Sequence, residues 1–167
     1  MPKFAVLIVL VALLPVAVAV ATPASPDEVA RWAREANDRA DIQALMARYE
    51  RALDSLDIDA YVAVFTDDAV FGDAKGREGI RAMIASTKAR REKDAGPGKA
   101  PVRTFQSIQN MTITLTSETT ATVEGYYLAL IGAQNDNPAR VATVGHEVDE
   151  VVKRDGRWLI SKRTVSP

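Results

Sequence analysis

The sequence predicts an α+β fold in which helices come first and an antiparallel sheet follows. Hydrophobic residues recur every three or four positions from residue 42 to residue 53, which indicates an amphipathic helix. From residue 111 to residue 116 the period is two, because hydrophobic residues alternate with threonines. The dipeptide Asp155-Gly156 joins two strand-like segments and is a strong hairpin signal. Helices concentrated in the first half of a chain and strands in the second half are typical of α+β proteins.

The first helix is predicted to begin just after Ser25. Residues 25–28, Ser-Pro-Asp-Glu, combine an N-cap serine, a proline at the first helical position and a glutamate that completes a capping box. No proline or glycine follows before Ser55, so one long helix or two abutting helices fit this segment. Trp32 falls on its hydrophobic stripe, and we predict that it packs against the domain.

A second, short helix is predicted after Asp57, which can cap it. Its buried side is supplied by Ile58, Tyr61, Val62 and Phe65. A short strand that ends at Gly72 follows, and we predict that Asp67 and Asp68 before it are turn and capping residues. A third helix precedes residues 94–101, which contain two glycines and two prolines and are predicted to form a loop.

The second half of the chain carries four predicted strands. They lie at residues 111–116, 119–131, 141–154 and 157–165, with a turn-prone connection at 133–139. A two-residue turn in the last hairpin sets Asp149 opposite Lys162 and Glu147 opposite Thr164 on one face. Val151 lies opposite Ile160 on that face as well, and the other face carries His146 and Arg163. Both faces mix polar and hydrophobic residues, so the pattern leaves open which face is inside.

The N-terminus is predicted to be a secretory signal peptide. Lys3 precedes an apolar segment at residues 4–21, and Ala19-Val20-Ala21 fits a small-residue cleavage site. An uncleaved membrane anchor is the alternative, since about 18 apolar residues approach the length that spans a bilayer; Pro15 favours cleavage. We expect a signal peptide at 1–21, a linker and the start of the first helix at 22–35, and one domain at 36–167. The expected location is secreted or periplasmic, without membrane insertion after cleavage.

Composition excludes several classes of function. The chain has no cysteine, so it has neither a disulfide framework nor a lipoprotein anchor, and one histidine leaves no zinc-ligand cluster and no Cys-His nucleophile. The net charge is −1 and the charges are interspersed, which argues against a nucleic-acid partner. No P-loop, GxGxxG or GxSxG motif occurs. We therefore expect no metal and no cofactor.

Several short motifs occur in an order that resembles the SnoaL-like branch of the nuclear-transport-factor-2-like superfamily. After a tyrosine-bearing helix they are LDSLDIDAY at 53–61, FTDDAVF at 65–71, GREGI at 76–80 and DGRWLISKR at 155–163. The resemblance covers residues 36–165. It implies a cone-shaped α+β roll, in which N-terminal helices pack on a strongly curved antiparallel sheet with a pocket between them, and a homodimer formed through the sheet. Its members include scytalone dehydratase, ketosteroid isomerase, polyketide cyclases, a dehydrochlorinase and non-catalytic binding domains, so the fold alone does not name a reaction.

Resemblance to scytalone dehydratase and to the dehydrochlorinase implies a catalytic role for Asp54. In those relatives an aspartate at this position orients a histidine that moves a proton. The histidine position, four residues before Asn110, is occupied here by Gln106. Glutamine does not titrate, so Gln106 can hold or orient a group but cannot be a general base. Asp54 itself and the hydroxyl of Tyr49 remain as candidate catalytic groups.

Glu147 is the second candidate base, because counting back from DGRW places it where scytalone dehydratase has a polar pocket residue. If its face is inside, Glu147 and Asp54 could share a cavity near Tyr49. Two carboxylates crowded in a low-dielectric pocket raise the pKa of one of them. The alternative is that Asp149 and Lys162 form a surface pair and that Glu147 is solvated.

The resemblance to ketosteroid isomerase implies a different base, Asp73, with the second acid of that enzyme falling near Glu150. His146, alone among valines, is typical of a structural residue, although it remains a candidate ligand contact. Phe65, Gln106, Asn110, Asp73 and His146 form the predicted set of ligand contacts.

Two functions are consistent with these residues. The first is an exported protein that binds a small apolar or aromatic molecule in the pocket and catalyses a dehydration or an isomerisation without a cofactor. The second is a non-catalytic ligand-binding or assembly module that lacks the catalytic histidine of its relatives.

Overall fold

The structure, a computed structural model, describes residues 23–132 and 138–167. The predicted signal peptide and most of the turn predicted at 133–139 lie outside these ranges. Among the described residues, no helix is both long enough and hydrophobic enough to cross a membrane.

The helices pack on one face of a six-stranded sheet, which confirms the predicted α+β fold. The elements are α1 Pro26–Ser55, α2 Ile58–Val62, β1 Phe65–Phe71, β2 Ala74–Lys75, α3 Gly76–Ala95, β3 Thr104–Leu115, β4 Thr120–Ile131, β5 Arg140–Arg154 and β6 Arg157–Ser166. The strand order is β2-β1-β6-β5-β4-β3. All pairs are antiparallel except β1 with β6. Irregular pairings interrupt four of the five strand pairs, and such bulges bend a sheet.

Side-chain caps fix the starts of both N-terminal helices, as the sequence predicts. The Glu28 backbone N–H donates to Ser25 Oγ at 3.2 Å, and the Ser25 N–H donates to the Glu28 carboxylate at 2.7 Å. Asp57 caps α2 by accepting a hydrogen bond from the Ala60 N–H at 3.0 Å. The first turns of α1 extend into solvent, however, and Trp32 is 51% exposed, so the prediction that this tryptophan packs is wrong.

The hydrophobic core lies between the helices and one end of the sheet. Its largest fully buried side chains are Trp158, Tyr61, Phe65, Ile42, Leu45 and Met46. The aromatic rings of Tyr49, Tyr61 and Phe65 contact one another, with centroids 5.2–6.2 Å apart. These side chains fill the space between the helices and the sheet at the end where β6 begins.

β1 is longer than the sequence predicts, because it includes Asp67 and Asp68. The assignment of these residues to a turn is therefore wrong. β1 pairs with β6 on either side of them, and the register shifts in between, so both aspartates lie exposed where the pairing is interrupted. Asp67 forms an ion pair with Arg77 of α3 at 2.7 Å.

The β5–β6 hairpin follows the predicted register only near its turn. Asp155 and Gly156 both have positive φ, 50° and 75°, as a two-residue turn of this type requires. Val151 pairs with Ile160 as predicted. Ser161 is then an extra residue in β6, and beyond it every pair is shifted by one position.

This bulge overturns the predicted pairing of Asp149 with Lys162. Asp149 pairs instead with Arg163, and Lys162 lies opposite Glu150, with which it forms an exposed ion pair at 3.0 Å. A shift of one residue moves a side chain to the other face of a strand. Arg163, predicted to face away from Asp149, therefore faces the helices.

Candidate functional site

The inner face of the sheet, which faces the helices, is closed at one end and open at the other. Glu147 pairs with Gly125, and alternation along β4 places Tyr127, Ala129 and Ile131 on the same face. Gly125 is buried, whereas Tyr127, Ala129 and Ile131 are only partly buried. We call the end of the inner face near Ile131 the open end.

A cavity of about 680 Å³ lies at the open end. It is bounded by the last turns of α3, by the loop that follows α3 and by the ends of three strands. Its charged lining residues and its larger hydrophobic ones are Arg91, Asp94, Lys99, Val102, Ile131 and Arg140. Strand register places Thr104, Ile131 and Arg140 in one row across β3, β4 and β5, on the face that carries Glu147. The cavity therefore opens onto the inner face of the sheet.

Asp54 and residue 106 are in direct contact, as the family pattern implied. The backbone N–H of Gln106 donates to Asp54 Oδ1 at 2.6 Å. One turn earlier on α1, Glu50 Oε1 accepts from the Ile108 N–H, also at 2.6 Å. β3 is an edge strand, and these two carboxylates satisfy backbone N–H groups that no neighbouring strand can pair. Asp54 thus fastens α1 to the sheet with one oxygen.

The environment of Asp54 raises its pKa above the ordinary value. Burial raises the pKa of Asp54, and this effect exceeds the opposing effects of the Gln106 N–H and of the Arg91 and Arg103 charges. Arg91 also donates to Thr104 Oγ1 and lines the open-end cavity. Asp54 therefore lies behind a cavity residue, where its proton affinity is higher than in water.

A cluster of three ionisable residues lies deeper on the inner face. Glu147, Asp149 and Arg163 are each at most 3% exposed. Arg163 Nη1 donates to Asp149 Oδ2 at 2.8 Å, and Arg163 Nη2 donates to Glu147 Oε2. The guanidinium carbon lies 4.0 Å from the centroid of the Tyr49 ring, a cation–π geometry. We call these three residues the buried charge cluster.

The single positive charge of Arg163 does not balance the two carboxylates of the buried charge cluster. Burial raises the pKa of Glu147 to about 7 and that of Asp149 to about 6, although Arg163 opposes both shifts. Two carboxylates share one guanidinium, so one negative charge is left over when both are ionised. Within the described part of the chain, Glu147 Oε1, Asp149 Oδ1 and Arg163 Nε have no hydrogen-bond partner. At least one carboxyl group of the cluster therefore titrates near neutral pH.

Tyr49 contacts the buried charge cluster, through Arg163, rather than Asp54. Tyr61 Oη donates to Tyr49 Oη at 3.3 Å, and burial raises the pKa of Tyr49, which keeps this phenol protonated. The pKa of Glu147 is raised mainly by burial, and the negative charge of Glu50 on α1 adds to this increase. Asp54 lies one helical turn further toward the open end. Glu50 therefore lies between the two predicted bases.

The other predicted ligand contacts are not brought together with Asp54. His146 lies on the outer face of the sheet, with its ring 5.6 Å from that of Tyr126. Asn110 is exposed at the bulge in β3, and Asp73 is exposed in the turn between β1 and β2. Phe65 is 0% exposed within the hydrophobic core. Of the predicted set, only Gln106 contacts Asp54.

Sequence reasoning missed Arg163 and Glu50. Arg163 was assigned to the wrong face because hydrophobic alternation does not reveal the bulge at Ser161. Glu50 lies in the last two turns of α1 among other charged residues, but its spacing of four residues from Asp54 could have indicated a shared face. In the described ranges, no three His, Asp or Glu residues are arranged to hold a metal ion.

Comparison with known proteins gives a match to a protein family. The SnoaL-like domain model matches residues 34–164. No curated protein sequence matches the chain significantly.

Solved structures share the fold. An NTF2-like protein with a cystatin-like fold from Novosphingobium aromaticivorans superimposes with a TM-score of 0.69 at 21% identity, covering 84% of this chain and 88% of its own. A Catenulispora acidiphila protein in complex with S-DNPA gives a TM-score of 0.63 at 26% identity, covering 78% and 92%. A second Novosphingobium aromaticivorans protein, assigned as an aromatic ring hydroxylase, gives 0.62 at 27% identity, covering 78% and 88%.

Proposed function

Because this chain belongs to the SnoaL-like domain family of the nuclear-transport-factor-2-like superfamily, we propose that it binds a small apolar or aromatic molecule in the open-end cavity. The observation that carries this proposal is the cavity itself, at the open end of the inner face. A volume of about 680 Å³ lies within the range of small-molecule sites, and Val102 and Ile131 offer hydrophobic surface.

Two relatives support this class of ligand. The Catenulispora acidiphila protein, 26% identical, was crystallised with a small molecule. The relative that is 27% identical carries the name of an enzyme acting on aromatic rings. The shared fold supports a comparable ligand for this chain, while the reaction depends on the residues of its own site.

The chemistry that these residues support is cofactor-independent proton transfer, as in a dehydration or an isomerisation. Asp54 has a raised pKa and one oxygen not bonded to Gln106, and it lies next to the cavity residue Arg91. Glu147 has the higher pKa but is fully enclosed. Asp54 is therefore the candidate base nearest to the cavity, whereas Glu147 and Tyr49 are buried further along the inner face.

Deuterium exchange at the α-carbon of 2-tetralone in D₂O, followed by proton NMR, tests this chemistry. The protein is expected to accelerate the exchange over buffer, and Asp54→Asn is expected to lower the acceleration about a hundredfold, as for loss of a general base. Asparagine keeps an oxygen for the Gln106 N–H, so the melting temperature should stay nearly unchanged. Asp41→Asn, an exposed aspartate of α1, is the matched control. Full activity in Asp54→Asn would exclude Asp54 as the base.

A non-catalytic binding or assembly module is the second candidate function. Gln106 at the histidine position of the relatives favours it, because this residue cannot move a proton. In this case Gln106→His changes the affinity for the ligand but creates no exchange activity. The exposed apolar residues Tyr126 and Val144 on the outer face of the sheet fit a homodimer through that face, which sedimentation can test: a monomer at micromolar concentration would contradict it.

Export through a cleaved signal peptide completes the proposal and rests on the sequence of residues 1–21. N-terminal sequencing of the protein from its own cell envelope is expected to begin near Thr22. A full-length chain retained in the membrane would contradict cleavage.

A further inference from the structure

The open-end cavity is positively charged. Arg91, Lys99 and Arg140 line it, and among the described lining residues Asp94 is the one that is acidic. Within residues 23–132 and 138–167, no carboxylate oxygen lies within 4 Å of a charged nitrogen of these three cations. The chain as a whole has a net charge of −1, so this local excess is not a property of the overall composition.

The three cations come from three different parts of the fold. Arg91 lies in the last turns of α3, Lys99 in the loop after α3, and Arg140 at the start of β5. They surround hydrophobic surface supplied by Val102 and Ile131. Cations on separate elements that converge on one partly apolar cavity form a site for a ligand with an anionic end and a hydrophobic body.

Arg91 is the best-positioned of the three. Its guanidinium is held by a hydrogen bond to Thr104 Oγ1 across the mouth of the cavity, and its side chain is half-buried. A guanidinium has five N–H donors in a planar fork, so this bond leaves others for a carboxylate. Partial burial reduces solvent screening, which makes an ion pair here stronger than one on the open surface.

We propose that the open-end cavity recognises the carboxylate of a small aromatic acid, bound by Arg91 and Arg140, with the ring lying against Val102 and Ile131. This inference deepens the proposed function and rests on it, since it names the class of ligand for the same cavity. The carboxylate sets the orientation of the ligand, with its ring directed along the inner face toward Asp54 and Gln106.

Calorimetric titration with 2-naphthoate and its neutral analogue 2-naphthamide tests the proposal at low ionic strength. The acid is expected to bind about tenfold more tightly than the amide, which is the difference that one charge-assisted contact makes. Arg91→Gln and Arg140→Gln are each expected to remove most of this preference while leaving the affinity for the amide unchanged. Arg48→Gln, an exposed arginine of α1 outside the cavity, is the matched control and should keep the preference.

The outcomes separate the two levels of the proposal. Equal affinity for the acid and the amide would overturn carboxylate recognition and leave small-molecule binding intact. A preference that survives in both Arg91→Gln and Arg140→Gln would also overturn it, because the anion would then be bound elsewhere. Binding of neither compound would overturn both carboxylate recognition and the proposed binding of aromatic molecules. Arg140 is exposed, so Arg140→Gln gives a result even if Arg91→Gln fails to fold.

Discussion

Replacement of Arg163 by methionine is expected to lower the free energy of unfolding by about 3–5 kcal/mol near pH 8. Arg163 is the single cation of the buried charge cluster and bonds both Glu147 and Asp149. Methionine fills similar volume but leaves two carboxylates without a counter-charge in a space that water does not reach. The loss should be smaller near pH 5, because protonated carboxyl groups no longer need the guanidinium.

Urea unfolding at the two pH values measures this effect. Arg157→Met is the matched control, because Arg157 is an exposed arginine of the same strand, and its replacement should change stability by no more than about 0.5 kcal/mol. A change in Arg163→Met as small as in the control would show that Arg163 does not compensate the two carboxylates.

Replacement of Glu147 by glutamine is expected to flatten the pH dependence of stability. The pKa of Glu147 is raised from an ordinary 4.5 to about 7 in the folded protein, mainly by burial. The folded state therefore holds this proton more tightly than the unfolded state does, and protonation stabilises the fold. Stability should rise as the pH falls through about 7 and should gain nothing more from this residue below about 4.5. Glutamine keeps an oxygen for Arg163 without a titrating group.

Thermal unfolding between about pH 4.5 and pH 8 compares the two proteins. The variant is expected to exceed the parent in stability near pH 8 and to lose most of the slope, leaving the smaller part due to Asp149, whose pKa is raised to about 6. Glu150→Gln, at an exposed position of the same strand, is the control and should retain the slope of the parent. An unchanged slope in Glu147→Gln would mean that Glu147 does not titrate in this range.

Local signals predict most of the fold because each depends on neighbouring residues. The capping box at residues 25–28 marks the start of α1, and Asp155-Gly156 marks the last hairpin, where the structure has both. The periodicities of residues 42–53 and 111–116 give the element type correctly. β1 was underestimated because the two exposed aspartates at 67–68 resemble a turn, whereas its pairing with β6 is a long-range interaction.

The site is harder to predict because one added residue changes which side chains meet. Ser161 introduces a bulge, and Arg163 consequently lies on the face of Asp149 and Glu147 instead of the opposite face. No local pattern marks this bulge, since Ser161 fits a regular strand equally well. The inward orientation of Glu147 was an open alternative in the sequence, and its partner was not identified.

Family spacing places Asp54 beside residue 106, and that proximity holds in the structure. The contact, however, runs through the Gln106 backbone rather than through a side chain. This bond could not be inferred from sequence, because it depends on β3 being the edge strand that α1 covers. The open-end cavity was likewise not predictable, since Arg140 lies about forty residues after Lys99 and only the fold brings it to Arg91 and Lys99.

Chemical-shift mapping of the ¹⁵N-labelled protein during titration with 2-naphthoate tests the central claim, that a small aromatic molecule binds in the open-end cavity. We expect the largest shifts at the amides of Thr104, Ile131 and Gly132, with smaller shifts at Gln106, whose N–H bonds Asp54. The groove formed by α1, α2 and the hairpin turn offers a competing location of similar volume, marked by Gly156 and Trp158. Shifts confined to that groove, or no shifts at saturating naphthoate, would contradict the claim.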